Sequence, residues 1–262
     1  MLTRASYVAW LPVTESPIHE AAARGFSRAV SDYERGRPGY PPEAVEILVR
    51  ELDLRPGRTV LDLAAGSGKL TRELVRSGAE IVAVDPVDAM REALAASLPG
   101  VRALPGTAEN IPLPDGSVDA VTVAQAFHWF DGARALAEIH RVLRPGGRLG
   151  LVWNWRDQSD PLMARLTELM EPYRGSAPGY ASGIWRHALE ETTRFTPLEE
   201  AHVPYPYETD GEGMVARVAS VSFIANLPDD ERERLLADVR AAVPAGRVVA
   251  RYRTDVYWCE RV

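Results

Sequence analysis

Five short apolar segments alternate with amphipathic segments between residues 59 and 155, and this alternation constrains the fold more than any other feature of the chain. The expected strands lie at 59–64, 80–85, within 101–110, at 118–126 and at 147–155, and the expected helices at 68–77, 86–97 and 131–143. Strands and helices that alternate in this way form an α/β fold with a parallel sheet covered by helices on both faces. Because such crossovers are right-handed, the sheet is predicted to be doubly wound.

The last hundred residues follow a different pattern. Helical segments are expected at 161–174, 211–226 and 229–243, and extended segments at 195–208 and 248–262. Two late strands would complete a mostly parallel seven-stranded sheet with an antiparallel edge strand, and the late helices would form a helical cap. A helix is expected at 42–53, before the first strand, whereas residues 1–25 show no clear period and are expected to form an irregular N-terminal arm.

Charge and cysteine content disfavour several classes of site. The chain carries 30 Lys and Arg against 37 Asp and Glu, a formal charge of −7, and nucleic-acid binding usually needs basic surface. Cys259 is the only cysteine, so neither an internal disulfide nor a metal site is expected. No apolar run is long enough to span a membrane, and the N-terminal segment lacks the apolar core of a signal peptide. We therefore expect a cytoplasmic protein with no nucleic-acid or membrane partner.

The turn after the first strand, VLDLAAGSGKLT at 60–71, is the strongest candidate binding site in the sequence. A phosphate-binding P-loop ending in Gly-Lys at 68 and 69 would need glycine at 63 and Ser or Thr at 70, and both positions are leucine. A dinucleotide turn would need a third glycine at position 71, which is Thr, and would bring pyrophosphate close to Asp62. Both phosphate-containing ligand classes fit this turn poorly.

S-adenosylmethionine fits the turn better, because it carries an ammonium, a sulfonium and an adenosine but no phosphate. Asp62 can pair with the ammonium, directly or through water, and the small residues that follow let the backbone approach the ligand closely. Asp85 ends the second strand, where its carboxylate can accept hydrogen bonds from both ribose hydroxyls. Because a carboxylate at this position serves NAD enzymes in the same way, Asp62 distinguishes the two cofactors better than Asp85 does.

Four motifs in order resemble those of the class I S-adenosylmethionine-dependent methyltransferases, in particular their small-molecule type 11 group. They are VLDLAAGSGKLT at 60–71, IVAVDPVDAM at 81–90, GTAENIPLPDGSVDAVTVAQAFHWF at 106–130 and EIHRVLRPGGRLGLV at 138–152. The resemblance extends from about residue 26 to the C-terminus and implies a Rossmann-like methyltransferase fold over 26–262. Within it, the resemblance implies an N-terminal lid at 26–53, a cofactor half at 54–157 and a substrate and cap half at 158–262.

The resemblance also implies which residues bind the cofactor S-adenosylmethionine. They are Tyr33, Arg37, Asp62, Ala64, Gly66, Gly68, Asp85, Pro86, Met90, Thr107, Ala108, Glu109 and Gln125. Two positions depart from the family pattern. Ala64 stands where the family usually has glycine, and Thr107 stands where an aspartate often contacts the adenine amine.

Aromatic residues and a histidine follow the fourth and fifth strands, at the edge where such a sheet binds its ligands. His128 is the candidate catalytic residue, since an imidazole titrating near neutrality could act as a base or position an acidic oxygen. Trp129, Trp153 and Trp155 are the candidate substrate residues, although the last two, on one side of a strand, could equally belong to the core. The pair His128–Trp129 resembles a branch that methylates carboxyl and phenol groups, which implies an oxygen acceptor.

The expected function is transfer of a methyl group from S-adenosylmethionine to an oxygen of a small molecule. Two alternatives stay open. A methyltransferase-fold protein could keep the same motifs and use the cofactor without transferring the methyl group, as a binding module or a natural-product cyclase. A nicotinamide-dependent oxidoreductase would share the sheet and the carboxylate at position 85, but the carboxylate at position 62 weighs against it.

Overall fold

The computed structural model describes residues 36–262. The expected arm at 1–25, the first part of the expected lid at 26–35 and the candidate residue Tyr33 lie outside the described residues. The strands are β1 (Thr59–Leu63), β2 (Glu80–Val84), β3 (Arg102–Leu104), β4 (Val118–Ala124), β5 (Leu143–Arg156), β6 (Glu199–Asp210) and β7 (Arg247–Glu260). The α-helices are α1 (Pro42–Glu51), α2 (Lys69–Leu74), α3 (Asp88–Ser97), α4 (Gly132–Val142), α5 (Pro161–Met170), α6 (Trp185–Glu191), α7 (Gly211–Ala219), α8 (Ser222–Ala225) and α9 (Asp229–Ala242).

The seven strands form one sheet in the order β3-β2-β1-β4-β5-β7-β6. Strands β1 to β5 are parallel to one another, whereas β7 is antiparallel to both β5 and β6. The strand order reverses between β1 and β4, which creates a crevice beyond the carboxyl ends of these two strands. In open α/β sheets, ligands bind in such a crevice.

The two faces of the sheet are buried against different helices, as the alternation of side chains along a strand requires. Leu61 and Leu63 of β1 pack in a cluster with Leu136 and Ile139 of α4. Val60 belongs to a second cluster, on the other face, that includes residues of α1 and α2. A third cluster joins α5, α7 and α9 to the outer part of β7, and this is the helical cap.

The predicted fold class is confirmed, including the antiparallel pairing at the edge, where β7 runs antiparallel to β5 and to the edge strand β6. The main difference in the boundaries is that the helical segment expected at 211–226 is two helices, α7 and α8. In the part of the chain that the structure describes, every helix is too short or too polar to cross a membrane.

Candidate active site

A cleft of about 100 Å³ opens at the carboxyl ends of β1, β2 and β4, at the point where the strand order reverses. Nine of the predicted cofactor-binding residues line it: Arg37, Ala64, Gly66, Asp85, Pro86, Met90, Thr107, Ala108 and Gln125. The sequence motifs therefore converge on one site, although they come from four separate loops. We call this site the cofactor cleft.

The carboxylate of Asp62, in β1, is buried next to the turn that follows this strand. Asp62 is fully buried and does not line the cofactor cleft. Its Oδ2 accepts a hydrogen bond from Thr71 Oγ1 at 2.6 Å, and its Oδ1 accepts one from Thr122 Oγ1 at 2.9 Å. Burial raises the pKa of Asp62 to about 6, despite these two hydroxyls. Because Asp62 is buried and does not line the cleft, its expected pairing with the ammonium, directly or through water, stays a prediction.

Two residues of the cleft adopt a backbone conformation that L-residues rarely take. Ala64 has a φ of 56° and Gln125 has a φ of 58°, at the ends of β1 and β4 respectively. Left-handed conformations of non-glycine residues are strained and tend to occur at functional sites. Ala64 is the position where the family usually has glycine, so the structure explains why glycine is preferred there.

Gly68, which does not line the cleft, is required for packing behind it. It has a φ of 86° and precedes α2, and a Cβ built on it would lie 3.0 Å from Leu94 Cγ. The positive φ favours glycine here, and any side chain would also force Leu94 to shift. Its predicted role is therefore indirect, through the shape of the turn.

Asp85 joins the turns that follow β1 and β2. Its Oδ2 accepts a hydrogen bond from the Gly66 backbone N–H at 2.8 Å, and its Oδ1 accepts one from the Val87 N–H at 2.9 Å. Burial raises the pKa of Asp85, and these two N–H donors oppose that shift. Each carboxylate oxygen can accept a further hydrogen bond, so the group can still receive ribose hydroxyls from the cleft.

The loop after β3 is tightly folded at Gly106 and carries an acid, Glu109, that lies outside the cleft. A Cβ on Gly106 would lie 2.6 Å from Pro112 Cδ, so the loop can fold tightly beside Thr107 and Ala108 only with glycine there. Glu109, in contrast, does not line the cleft. Its Oε1 accepts a hydrogen bond from the Asp131 N–H at 3.0 Å, which ties the loop to the start of α4.

A second, larger cavity of about 840 Å³ adjoins the cofactor cleft, and Phe130 lines both. We call it the acceptor cavity. The loop between α5 and α6 forms much of its wall. Its aromatic lining residues are Phe127, His128, Phe130, Trp155 and Trp185. Cavities of this size with mostly apolar walls and few polar groups are typical of small-molecule sites.

His128 is a neutral hydrogen-bond donor at the wall of the acceptor cavity. The indole Nε1–H of Trp153 donates a hydrogen bond to His128 Nδ1 at 3.2 Å. Burial, reinforced by the positive charges of Arg37 and Arg174, lowers the pKa of His128 to about 4. Because Nδ1 accepts, the single proton of the neutral ring is on Nε2. The structure departs from the expectation that His128 titrates near neutrality, and its one free lone pair is already used.

The three candidate tryptophans occupy three different places. Trp129 lines the cofactor cleft and Trp155 lines the acceptor cavity. Trp153 is 1% exposed and lines neither, because its ring packs between Tyr180 and Trp185 with centroid separations of 4.9 and 4.5 Å. It contributes through its hydrogen bond to His128 rather than through the cavity wall.

Sequence patterns missed several residues of the site. Leu63, Val87, Gly106, Ala124, Ala126 and Phe130 also line the cofactor cleft. All six lie within the motifs at 60–71, 81–90 and 106–130, but none of them was itself predicted to bind the cofactor. The loop at 174–182, in contrast, carries no motif, and only the folded structure places it at the wall of the acceptor cavity.

The chemistry of the cofactor cleft fits S-adenosylmethionine. Its lining is mostly apolar around one carboxylate, Asp85, and Arg37 is the only cation among the described lining residues. A pyrophosphate would be poorly compensated there, whereas an adenosine with a free ribose can use the carboxylate and the apolar walls.

Comparison with known proteins also indicates a methyltransferase. Residues 61–151 match the family model described as a methyltransferase domain. A Mycobacterium tuberculosis protein named as an uncharacterized methyltransferase is 46% identical over 221 residues, which cover 82% of this chain and 84% of that protein.

Two solved structures are similar in fold. The YcgJ protein of Bacillus subtilis has a TM-score of 0.56 and 19% identity, and the match covers 84% of this chain and 98% of that one. Geranyl diphosphate C-methyltransferase of Streptomyces coelicolor, solved with Mg²⁺, geranyl diphosphate and S-adenosyl-L-homocysteine, has a TM-score of 0.52 and 15% identity. That match covers 94% of this chain and 99% of the other.

Proposed function

We propose, from the premise that this chain belongs to the class I S-adenosylmethionine-dependent methyltransferases, that it methylates an oxygen of a partly apolar small molecule. The family supplies the enzyme class and the cofactor. The relative at 46% identity does not identify an acceptor, so the acceptor must be argued from the cavity. Family membership leaves the nicotinamide alternative without support.

The hydrogen bond from Trp153 to His128 carries the proposal of an oxygen acceptor. It fixes Nε2–H as the polar group that His128 can offer to the acceptor cavity. An N–H donor suits an oxygen that is negatively charged or rich in lone pairs, such as a carboxylate or a phenolate. A carboxylate needs no general base at neutral pH, because its proton is lost in solution before it binds.

S-adenosylmethionine supplies a methyl group that its sulfonium already activates. The work of this chain is then to bind, align and exclude water, which is an effect of proximity and orientation. Asp85, with Thr107 and Ala108, is proposed to hold the nucleoside part, and the turn at 64–68 the methionine part. Phe130, which lines both the cleft and the cavity, is proposed to keep the passage between them dry. His128 is proposed to hold the acceptor oxygen in line.

Transfer of a carbon-13 methyl group tests this proposal. The full chain is incubated with S-adenosylmethionine labelled in its methyl carbon and with a small-molecule extract, and the product is analysed by NMR. The expected result is a label bonded to oxygen in a low-molecular-weight product. A label on nitrogen or carbon would contradict the oxygen assignment. Tight cofactor binding with no labelled product and no S-adenosylhomocysteine formed would favour non-catalytic use of the cofactor instead.

A further inference from the structure

Four arginines gather where the cofactor cleft meets the acceptor cavity, and we call them the arginine cluster: Arg37, Arg156, Arg174 and Arg217. Arg37 lines the cofactor cleft and Arg174 lines the acceptor cavity. Arg156 Nε donates a hydrogen bond at 3.3 Å to the hydroxyl of Thr167, which also lines the acceptor cavity. The four residues come from the lid, from β5, from the loop after α5 and from α7.

Arg217 lies against the lid, and two of its guanidinium-group nitrogens are buried without a hydrogen bond to any described residue. A Cβ on Gly36 would lie 2.3 Å from the Arg217 backbone nitrogen, so the lid is in close contact with α7 there. Next to it, Arg37 Nη2 donates to the Ser220 carbonyl at 3.0 Å. Nε and Nη1 of Arg217 are buried and have no partner among the residues that the structure describes. A buried guanidinium without a partner is costly, and such groups are usually satisfied by a ligand, an ion or water.

Carboxylates of residues 36–262 pair with only part of the cluster. Arg174 pairs with Glu171, with Nε and Oε2 2.9 Å apart. Arg156 and Arg217 form no salt bridge with any carboxylate of residues 36–262. Burial, together with the charges of Arg217, Arg174 and Arg37, lowers the pKa of Arg156 to about 10. An excess of buried positive charge is unfavourable unless an anion compensates it.

We propose that the arginine cluster binds an oxyanion, either a carboxylate or a phosphate, of the acceptor molecule. The acceptor is then an organic acid whose apolar body lies against Trp155 and Trp185 in the acceptor cavity. Guanidinium groups bind carboxylate and phosphate through paired N–H donors, which suits this use. This inference rests on the proposed function, because it names the substrate class of the same site.

The carboxylate of the cofactor is the competing ligand for this cluster. Arg37 is the cluster's only member among the described lining residues of the cofactor cleft, whereas Arg174 and Thr167 line the acceptor cavity. Arg174 thus lines the acceptor cavity directly, and Arg156 contacts its wall through Thr167. A test must still measure cofactor affinity and anion affinity separately.

Calorimetry on the full chain saturated with S-adenosylhomocysteine tests the inference. The titrants are inorganic phosphate, succinate and benzoate, with benzamide as the uncharged match for benzoate. The variants are Arg217→Met and Arg156→Met, with Arg165→Met as the control because Arg165 is exposed on α5 and pairs with Glu168. We expect at least one anion to bind the wild type and the Arg165 variant, and to bind the two cluster variants at least about tenfold more weakly. The affinity for benzamide should be the same in all four proteins. Comparing the affinity for phosphate with the affinities for succinate and benzoate shows which oxyanion the cluster prefers.

Thermal melting provides a second measurement. Removing the Arg217 guanidinium relieves repulsion among buried cations, so Arg217→Met should melt at a higher temperature than the wild type in buffer without oxyanions. Adding the anion that binds should reduce or reverse that difference. If Arg217→Met were less stable than the wild type in both buffers, Arg217 would only support the fold.

Three results would overturn the inference. They are no anion binding to the wild type, equal anion binding to the cluster variants, and a loss of S-adenosylhomocysteine affinity in the cluster variants as large as the loss of anion affinity. The last would assign the cluster to the cofactor. If S-adenosylhomocysteine itself did not bind the wild type, the proposed function would fail first, so the two failures are distinguishable.

Discussion

Trp153 donates its indole N–H to Nδ1 of His128, with the two nitrogens 3.2 Å apart. This one contact decides what His128 can do, because it occupies the only lone pair of the neutral ring. Through this contact Trp153 acts on the acceptor cavity although it lines neither the cleft nor the cavity. His128 becomes a donor that holds an oxygen rather than a base that removes its proton.

The low pKa of His128 predicts a pH-dependent contribution to stability. The pKa is about 4 in the folded state against an ordinary value of 6.5, so the unfolded state binds more protons between these values. The contribution is therefore full above pH 6.5 and is lost as the pH falls towards about 4, by up to about 3 kcal/mol. Urea unfolding of the wild type and of His128→Gln across this range measures it. A constant difference in unfolding free energy between the two proteins would contradict the assigned pKa.

The raised pKa of Asp62 predicts the opposite dependence of stability on pH, in a range that overlaps that of His128. Its pKa rises from 3.8 to about 6 on folding, so the folded state binds more protons between these values and stability is lost as the pH rises through them. Asp62→Asn should therefore gain stability relative to the wild type by up to about 3 kcal/mol between pH 4 and pH 8. The same urea series measures this gain. If the difference in unfolding free energy between the variant and the wild type is the same at every pH, burial does not raise the pKa of Asp62.

Cofactor binding should show why a strained carboxylate is kept at position 62. Asp62→Asn preserves an oxygen for one of the two threonine hydroxyls but removes the negative charge below the turn. We expect S-adenosylhomocysteine to bind the variant about tenfold more weakly, even though the protein is more stable at neutral pH. Calorimetry at pH 7.5 compares the two proteins. Unchanged affinity would limit Asp62 to a structural role.

Ala64 and its neighbour provide a matched test of backbone strain. Ala64 has a φ of 56°, whereas Ala65 is not among the residues with positive φ. Ala64→Gly should raise the free energy of unfolding by about 0.5–1 kcal/mol, because glycine adopts this conformation without a steric cost. Ala65→Gly should lower it by a similar amount, because there only the unfolded state gains freedom. Equal losses in the two variants would show that position 64 is unstrained.

Asp85 should control cofactor affinity. Asp85→Asn removes the charge and one of the two acceptors that bind the Gly66 and Val87 N–H groups. The dissociation constant of S-adenosylhomocysteine should rise about 10- to 100-fold, the range expected for losing hydrogen bonds to a charged group. Asp88→Asn, nearby on α3 with its side chain 82% exposed, is the control and should bind as the wild type does. Equal affinities for both variants would contradict the placement of the ribose.

Much of the fold and of the cofactor cleft could be predicted because both depend on local sequence. The strand–helix alternation fixes the parallel sheet, and the carboxyl ends of β1, β2 and β4 must then lie together. Asp85 and Gly66, found from separate motifs, are joined by a hydrogen bond of 2.8 Å. The burial of Asp62 was not predictable in the same way, because it depends on Thr122, which belongs to another strand.

The acceptor side could not be predicted, because its residues meet only in three dimensions. Trp153 and Trp155 lie on the same side of one strand, yet packing between Tyr180 and Trp185 buries Trp153, whereas Trp155 lines the cavity. Arg156 and Arg217 belong to no motif, and nothing local in the sequence brings them together. The low pKa of His128 likewise depends on burial in the folded chain, where Trp153 of β5 packs against it.

The pH dependence of kcat/KM, measured on the acceptor found by label transfer, tests the central claim most directly. The claim is that a neutral His128 donates Nε2–H to the acceptor oxygen and takes no proton. Because any ionisation of the acceptor affects both proteins, the informative quantity is the ratio of wild type to His128→Gln. We expect this ratio to stay constant from about pH 5.5 to about pH 8 and to change only as the pH approaches 4. A ratio that rises with a midpoint near 6.5 would show that His128 acts as a general base and would contradict the claim.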